Sequence, residues 1–453
     1  MSKEKAQQKF FHTLSTQLPT VTPEMFERAG QVLAGSPLGL TDSTVLSMRV
    51  PHLITGAAIS PKGEIAVVCC ENLGEGKLLP RYTLYVNARQ RAGRLVADHY
   101  FSADYIHRIE YPHASPNLAV IYNEGGKNFM RWGNINSVLL PTHPKVHYFE
   151  DNGEYYAMII DNNSLDLNPD EAAAHVRVYC VSNGDEALVK NSHSGVIAEP
   201  IGVFAGKPCY LLTNRPTCGV GEEGYRVCWG TVCSDLFPEP GDFIRKTAGL
   251  DPDGNLRWVG RSDIIGYIRI TLSREGDLET ELLGAEQIFA SGDDAVFTRD
   301  TNITDEVIAT AFHCIDTPDE PLLSLPQAFK PTGVLKVNKK DYYIMYRTQP
   351  KDGEPNHFAQ FVRVGRDPKG GDVIELGGSP TSCRGLFGKH FVYYRRQDRH
   401  VYLRDLHSYA KDRHSLVHSP WNSLQIVDED LVLGMYITGD DRCTLNIEHF
   451  DLS

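Results

Sequence analysis

The chain contains no run of about 18 consecutive apolar residues, the length a helix needs to cross a bilayer. Its opening stretch, MSKEKAQQKFFHTL, carries charges where a secretory leader would place an apolar core. Neither a membrane span nor an export signal is expected, and the composition reads as cytoplasmic. An excess of positive charge is also missing: 45 Lys and Arg stand against 58 Asp and Glu, a formal net charge of −13. Such a balance disfavours general binding to nucleic acid or an anionic membrane. The G-x-S-x-G elbow, the H-E-x-x-H helix and the phosphate loop are all absent, so no enzyme class announces itself by motif. Heptads and long helical periodicities are lacking too. The ten cysteines, with Cys69 and Cys70 adjacent in an apolar run, read as small buried hydrophobes in a reducing compartment. On that reading the N-x-S and N-x-T triplets at Asn162 and Asn302 are chance matches.

What is present is repetition. An apolar run follows a turn eight times: EIAVVCC from Glu64, LAVIY from Leu118, EYYAMII from Glu154, PCYLL from Pro208, AVF from Ala295, DYYIMY from Asp341, HFVYY from His390 and LVLGMYI from Leu431. Each has a companion run, among them YTLYV from Tyr82, HVRVYCV from His175 and GYIRITL from Gly266, in which apolar and polar residues tend to alternate. A period of roughly 50 residues built from short strands predicts an all-β fold, a β-propeller. Eight blades are expected, with seven as the competing count. The last unit ends after a third-strand pattern, and Thr44 to Val50 (TVLSMRV) is an orphan strand ahead of the first unit. An N-terminal strand that completes the last blade is therefore predicted, since pairing removes an open sheet edge.

The expected layout is a helical extension over 1–42 followed by the propeller over 43–453. Thr22 and Pro23 can open a helix whose apolar face includes Met25, Phe26, Ala29 and Leu33, and Gly35 can close it. Within the fourth unit, residues 214–265 read as a long insertion rich in Cys, Trp and Phe, placed as a lid. Its cysteines lack a C-x2-C knuckle, which argues against structural zinc. G-x-G-x-x-G occurs literally at Gly219 to Gly224, but two glutamates fill its variable positions and a strand-like run follows, so dinucleotide binding is rejected. DPDGN from Asp251 opens like a calcium loop without the later ligands and is read as a hairpin turn before LRWV.

Three sets of residues are candidates for function. Trp229, in the insertion, is a candidate contact on an exposed face. Arg395, Arg396 and Arg399, with interleaved tyrosines, form a basic rim able to hold a phosphate or an acidic peptide; the competing reading pairs them with nearby aspartates. His52, His107 and His143 each precede a predicted turn by the same offset, and Glu199 sits at a similar level. Three imidazoles and a carboxylate at one channel mouth could hold a divalent metal. No other cofactor is expected.

ISPKGEIAVV, from Ile59 to Val68, resembles the S-P-D-G turn of TolB-like and WD40-like propellers, with Lys62 in place of the acid. ASPNLAVIY from Ala114 echoes it. The resemblance implies the propeller fold and no residue-level function. A binding platform for a protein or peptide is therefore the functional expectation. The alternative is a propeller enzyme, a hydrolase or lyase acting on a small polar or carbohydrate ligand in an axial pocket.

Overall fold

The computed structural model describes residues 43–50, 52–62, 64–71, 80–91, 94–142, 145–163, 173–186, 192–194, 196–214, 224–235, 237, 244–262, 266–291, 294–304 and 307–326, and then the strands and short flanks between 331 and 451. The helical extension expected over 1–42 lies outside these residues. Among them the protein is built of antiparallel strands: nine four-stranded sheets and one two-stranded ribbon.

Eight of the sheets are meanders whose strands pair in chain order. The first comprises Leu53–Ile59, Ile65–Glu71, Arg81–Val86 and His99–Ala103. The second comprises Tyr105–Glu110, Ala119–Glu124, Lys127–Trp132 and Ile135–Leu139. The third runs from Lys145–Asp151 to Ser192–Ser194, the fourth from Val196–Phe204 to Val232–Cys233, and the fifth from Ile244–Leu250 to Leu278–Leu282. The sixth runs from Gln287–Ser291 to Thr317–Pro326, the seventh from Pro331–Asn338 to Val373–Glu375, and the eighth from Cys383–Phe387 to Arg413–His414. The ninth joins both ends of the chain, because Ser43–Arg49 pairs with Thr444–Asp451 from Ser43↔Phe450 to Arg49↔Thr444. The orphan strand thus completes the last sheet, as its position in the sequence predicts. Serial four-stranded meanders are the construction of a β-propeller.

The sheets fall into two compact units, residues 1–142 with 376–453, and residues 143–375. In the first unit the first strands of the ninth, first and second sheets are neighbours; in the second unit those of the third to seventh sheets follow one another. Cohesion comes from cores shared between adjacent sheets. Met158, Val176 and Val178 of the third sheet pack with Tyr210 and Leu212 of the fourth. Leu211, Val227 and Trp229 of the fourth pack with Leu256, Trp258 and Ile270 of the fifth. Second strands are apolar on both faces because each face meets another sheet: Ile65 through Cys69 and Tyr156 through Ile160 are all buried. Burying one such side chain contributes about 1.5–3 kcal/mol.

Two expectations are corrected here. There are nine four-stranded sheets rather than eight units, and residues 214–265 are not an insertion. Tyr225–Trp229 and Val232–Cys233 complete the fourth sheet, while Ile244–Leu250 and Leu256–Ser262 open the fifth. GYIRITL is the third strand of this fifth sheet and pairs with Leu256–Ser262. The large side chains of the segment are there to fill a core. The DPDGN stretch does form the hairpin turn, with the Asp251 carboxylate accepting from the backbone N–H groups of Asp253 and Asn255 at 3.0 and 2.8 Å.

A second repeat signature appears in the first strands. One extra residue bulges from the ladder at Thr55, His107, Ile201, Thr332 and Arg384, and in all but the second sheet a glycine follows it: Gly56, Gly202, Gly333 and Gly385. Gly249 stands at the corresponding irregularity of the fifth sheet. At Gly202 the reason is steric: a Cβ would lie 2.8 Å from the Phe204 ring.

Polar ties join neighbouring sheets. Asn162 donates to the Ala198 carbonyl at 3.0 Å and accepts from its N–H at 2.9 Å, which ties the third sheet to the fourth. The turn between the third and fourth strands of the sixth sheet is gripped by arginines: Arg257 binds Asp316, Arg269 donates to the Ile315 carbonyl at 3.1 Å, and Arg299 donates to the Pro318 carbonyl at 3.0 Å.

His313, just before that turn, is only 5% exposed, and neither ring nitrogen makes a hydrogen bond of normal geometry. Its ring stacks on Phe297, over which the Arg299 guanidinium also lies, 5.0 Å from the ring centre. Burial first, and the Arg299 charge second, hold the imidazole pKa below its ordinary value of 6.5, with the Pro318 carbonyl and Asp319 opposing. Below pH 6.5 the unfolded chain therefore binds this proton more readily than the folded one, and stability falls as pH drops from there towards the folded-state pKa. The urea midpoint of the wild type is expected to fall more between pH 7 and pH 5 than that of His313→Phe; equal shifts would refute the account.

Candidate functional site

The first and second sheets meet in the first unit, and the ends of their strands line up. In the first sheet Leu53, Cys70, Tyr82 and Ala103 form one cross-strand row. In the second, Tyr105, Asn123 and Asn128 form another. The rows are joined through Asp104, whose N–H donates to Glu124 Oε2 at 3.2 Å and whose carboxylate accepts from the Gly125 N–H at 2.8 Å. Leu53 and Tyr105 occupy equivalent places, each two residues before its bulge, and are 41% and 43% exposed.

Tyr105 is the centre of an aromatic group. Its ring meets Tyr82 edge-on at 4.7 Å and His107 edge-on at 4.7 Å. The Tyr82 phenol has its pKa raised by burial and by the neighbouring Cys70 thiol, so it stays a neutral hydroxyl. His107 is exposed and projects from the bulge; its Nε2 lies 3.2 Å from Asn128 Oδ1. Asn123 donates to that same oxygen at 3.0 Å, and the Asn128 amide nitrogen donates to the Thr142 carbonyl at 3.0 Å. A bulge re-aims the side chain it carries. The surface combines two apolar faces with amide and imidazole groups, a composition suited to a partly apolar ligand with hydrogen-bonding groups.

The sequence candidates are distributed differently. His52 directly precedes the first sheet and is partly exposed, whereas His107 is the third residue of the second sheet's first strand. The equal spacing does not make them equivalent, because the turn at Pro112–Ala114 lengthens the first connection of the second sheet; the counterpart of His107 is Thr55. Glu199 is partly buried on the first strand of the fourth sheet, in the other compact unit, and His143 lies outside the described residues. Among the described residues no three His, Cys, Asp or Glu side chains gather as a metal site.

Trp229 is not a surface contact. It is 1% exposed, its Nε1 donates to the Phe204 carbonyl at 3.0 Å, and the Lys207 ammonium lies 4.6 Å from its ring centre. It belongs to the core between the fourth and fifth sheets, which is why so bulky a residue occurs there. Arg395 ends a strand of the eighth sheet and pairs with His400. Arg396 and Arg399 themselves lie outside the described residues. Tyr82 and Tyr105, missed in the sequence, sit in different sheets and meet only through the strand crossing.

No protein-family model matches the chain, and no curated protein matches it. Solved structures similar to it include the β-propeller domain of the Trilobed protease from Pyrococcus furiosus, at 8% identity and a TM-score of 0.31, covering 74% of this chain and 98% of that one. The WD40 domain of SCAP from fission yeast is similar at 9% identity and a TM-score of 0.34, covering 90% and 98%. An oligogalacturonate lyase in complex with manganese is similar at 8% identity and a TM-score of 0.30, covering 91% and 94%. Both a WD40 domain and an enzyme thus appear among the similar folds. The chain is a β-propeller protein, and its own serial meanders carry that assignment. Among the described residues no helix is long and apolar enough to cross a membrane.

Proposed function

We propose that the protein is a non-catalytic binding platform for a protein or peptide segment, and that the surface of Leu53, Tyr82, Tyr105 and His107 is its docking site. The observation that carries this is the pair of exposed side chains, Leu53 and Tyr105, at equivalent positions of adjacent first strands, backed by Tyr82 and bordered by hydrogen-bonding amides. Aromatic anchors of this kind dominate the energetics of peptide recognition. An extended segment would lay an apolar residue on Tyr105 and engage the His107 and Asn128 groups through its main chain. Arg395, with Arg396 and Arg399, would add charge for an acidic flank. A cytoplasmic site of action is part of the same reading.

The test is selection from a displayed peptide library against the wild-type protein, followed by titration of the enriched peptides against Tyr105→Ala. Affinity is expected to fall at least about tenfold, the minimum for an anchor residue, with the far-ultraviolet circular dichroism unaltered. Unchanged affinity in the variant would remove this surface as the site. The competing enzyme reading makes a different prediction: stoichiometric divalent metal in the purified protein that disappears in His107→Ala.

A further inference from the structure

The fourth sheet ends in an outer strand of only two residues, Val232–Cys233, and a disulfide ties it down. Cys228 on the third strand is bonded to Cys233 opposite it in register. This corrects the expectation that the cysteines are unbonded hydrophobes, although Cys69, Cys70, Cys180, Cys209, Cys314 and Cys443 form no disulfide. The two bonded sulfurs have unlike surroundings: Cys228 is wholly buried, whereas Cys233 is exposed.

We propose that Cys228–Cys233 is a thiol–disulfide exchange site, opened by a dithiol reductant that attacks the exposed Cys233 sulfur. A thiolate of the reductant forms a mixed disulfide with Cys233 and expels Cys228 as a thiolate, which takes up a proton. The reductant's second thiol then displaces Cys233 and leaves as an intramolecular disulfide. Two electrons and two protons pass to the protein, and the reductant is oxidised by the same amount.

Three observations support exchange at this pair. Access is one-sided, so an external thiolate reaches only the Cys233 sulfur. The nearest strand neighbour with a free thiol, Cys209, is fully buried opposite Trp229, and burial pushes its pKa upward, so it stays protonated and does not reshuffle the bond from within. The outer strand itself is only two residues long. Beyond it, Ser234 exchanges hydrogen bonds with Val227, at 2.9 Å through its N–H and 3.0 Å through its hydroxyl, and Phe237 exchanges backbone hydrogen bonds with Tyr225 at 2.8 Å and stacks on its ring at 5.1 Å, so the disulfide adds a covalent tie to a short run of pairing. Reduction is therefore expected to loosen residues 225–237, including Val232, which leaves so little room beside the fifth sheet's turn that a Cβ at Gly276 would lie 3.4 Å from it.

The test uses the full-length protein purified under air and treated with graded dithiothreitol, then alkylated without denaturant and mapped by mass spectrometry, with hydrogen exchange measured in parallel. A cross-linked 228–233 peptide is expected before treatment. Reduction at a concentration that leaves circular dichroism unchanged should make both cysteines alkylatable while Cys209 stays protected, and should raise exchange over 225–237 by at least about tenfold relative to the first sheet. Cys233→Ser should show the faster exchange without reductant. Free thiols at both positions in the untreated protein, a bond that yields only when the fold is lost, or unchanged exchange after reduction would each overturn the proposal.

Discussion

Asp316→Ala is expected to destabilise the protein by about 3–5 kcal/mol, the penalty for removing one partner of a buried ion pair. Arg257 is a core residue of the fifth sheet: its side chain is 1% exposed, against 16% for Asp316. Its Nε and Nη2 atoms meet the two carboxylate oxygens at 2.9 and 3.0 Å, and Nη1 donates to the Thr247 carbonyl. Truncating the aspartate leaves a desolvated guanidinium with the Thr247 carbonyl as its remaining partner among these contacts. The pair itself need not be a net gain over apolar packing. Hence Arg257→Met combined with Asp316→Leu should recover most of what the single change loses. Guanidinium titration followed by circular dichroism measures both, and a single-variant loss below about 1 kcal/mol would show the pair to be solvated in practice.

Trp229→Ala should cost a comparable amount, about 3–5 kcal/mol, because it empties a large volume in the core between two sheets. Trp229→Phe separates the terms, since it keeps an aromatic ring and gives up the hydrogen bond to Phe204 together with some volume; roughly 1–2 kcal/mol is expected for it. Were Trp229 a docking residue, both variants would lose binding and keep stability. Thermal and denaturant unfolding distinguish the two outcomes. Trp132 plays the same part in the second sheet, where it ends a third strand, precedes a glycine with positive φ, and donates Nε1 to the Asn117 carbonyl at 3.0 Å. W-G-N-I at Trp132 and W-G-T-V at Trp229 are thus one structural phrase written twice.

That phrase shows what the sequence could have yielded and why it did not. Apolar runs are conspicuous in a sequence, and eight of the nine second strands are legible on that ground, as is the strand that closes the ninth sheet. LRWVGRS escaped because it carries Arg257, a charge that only its partnership with Asp316 makes tolerable in a core. The signature that would have found it lies upstream. TAGLDPDGNLRWV from Thr247 has the same order of threonine, glycine, apolar residue, turn and strand as TGAAISPKGEIAVV from Thr55. The docking surface was less accessible still. His107 stands out through a spacing that the turn at Pro112–Ala114 makes coincidental, while its contacts Tyr105 and Asn128, and Tyr82 and Asn123 beyond them, are brought together by the pairing and packing of strands and carry no local pattern.

The ninth sheet imposes an order of events on synthesis. Ser43–Arg49 leaves the ribosome some four hundred residues ahead of its partner Thr444–Asp451. The early strand must stay unpaired while the intervening sheets form, so this sheet assembles only after they have been made, through a contact of very long sequence separation. A nascent chain arrested before residue 444 would carry Ser43–Arg49 unmatched, a ready template for a chaperone or for another copy of itself.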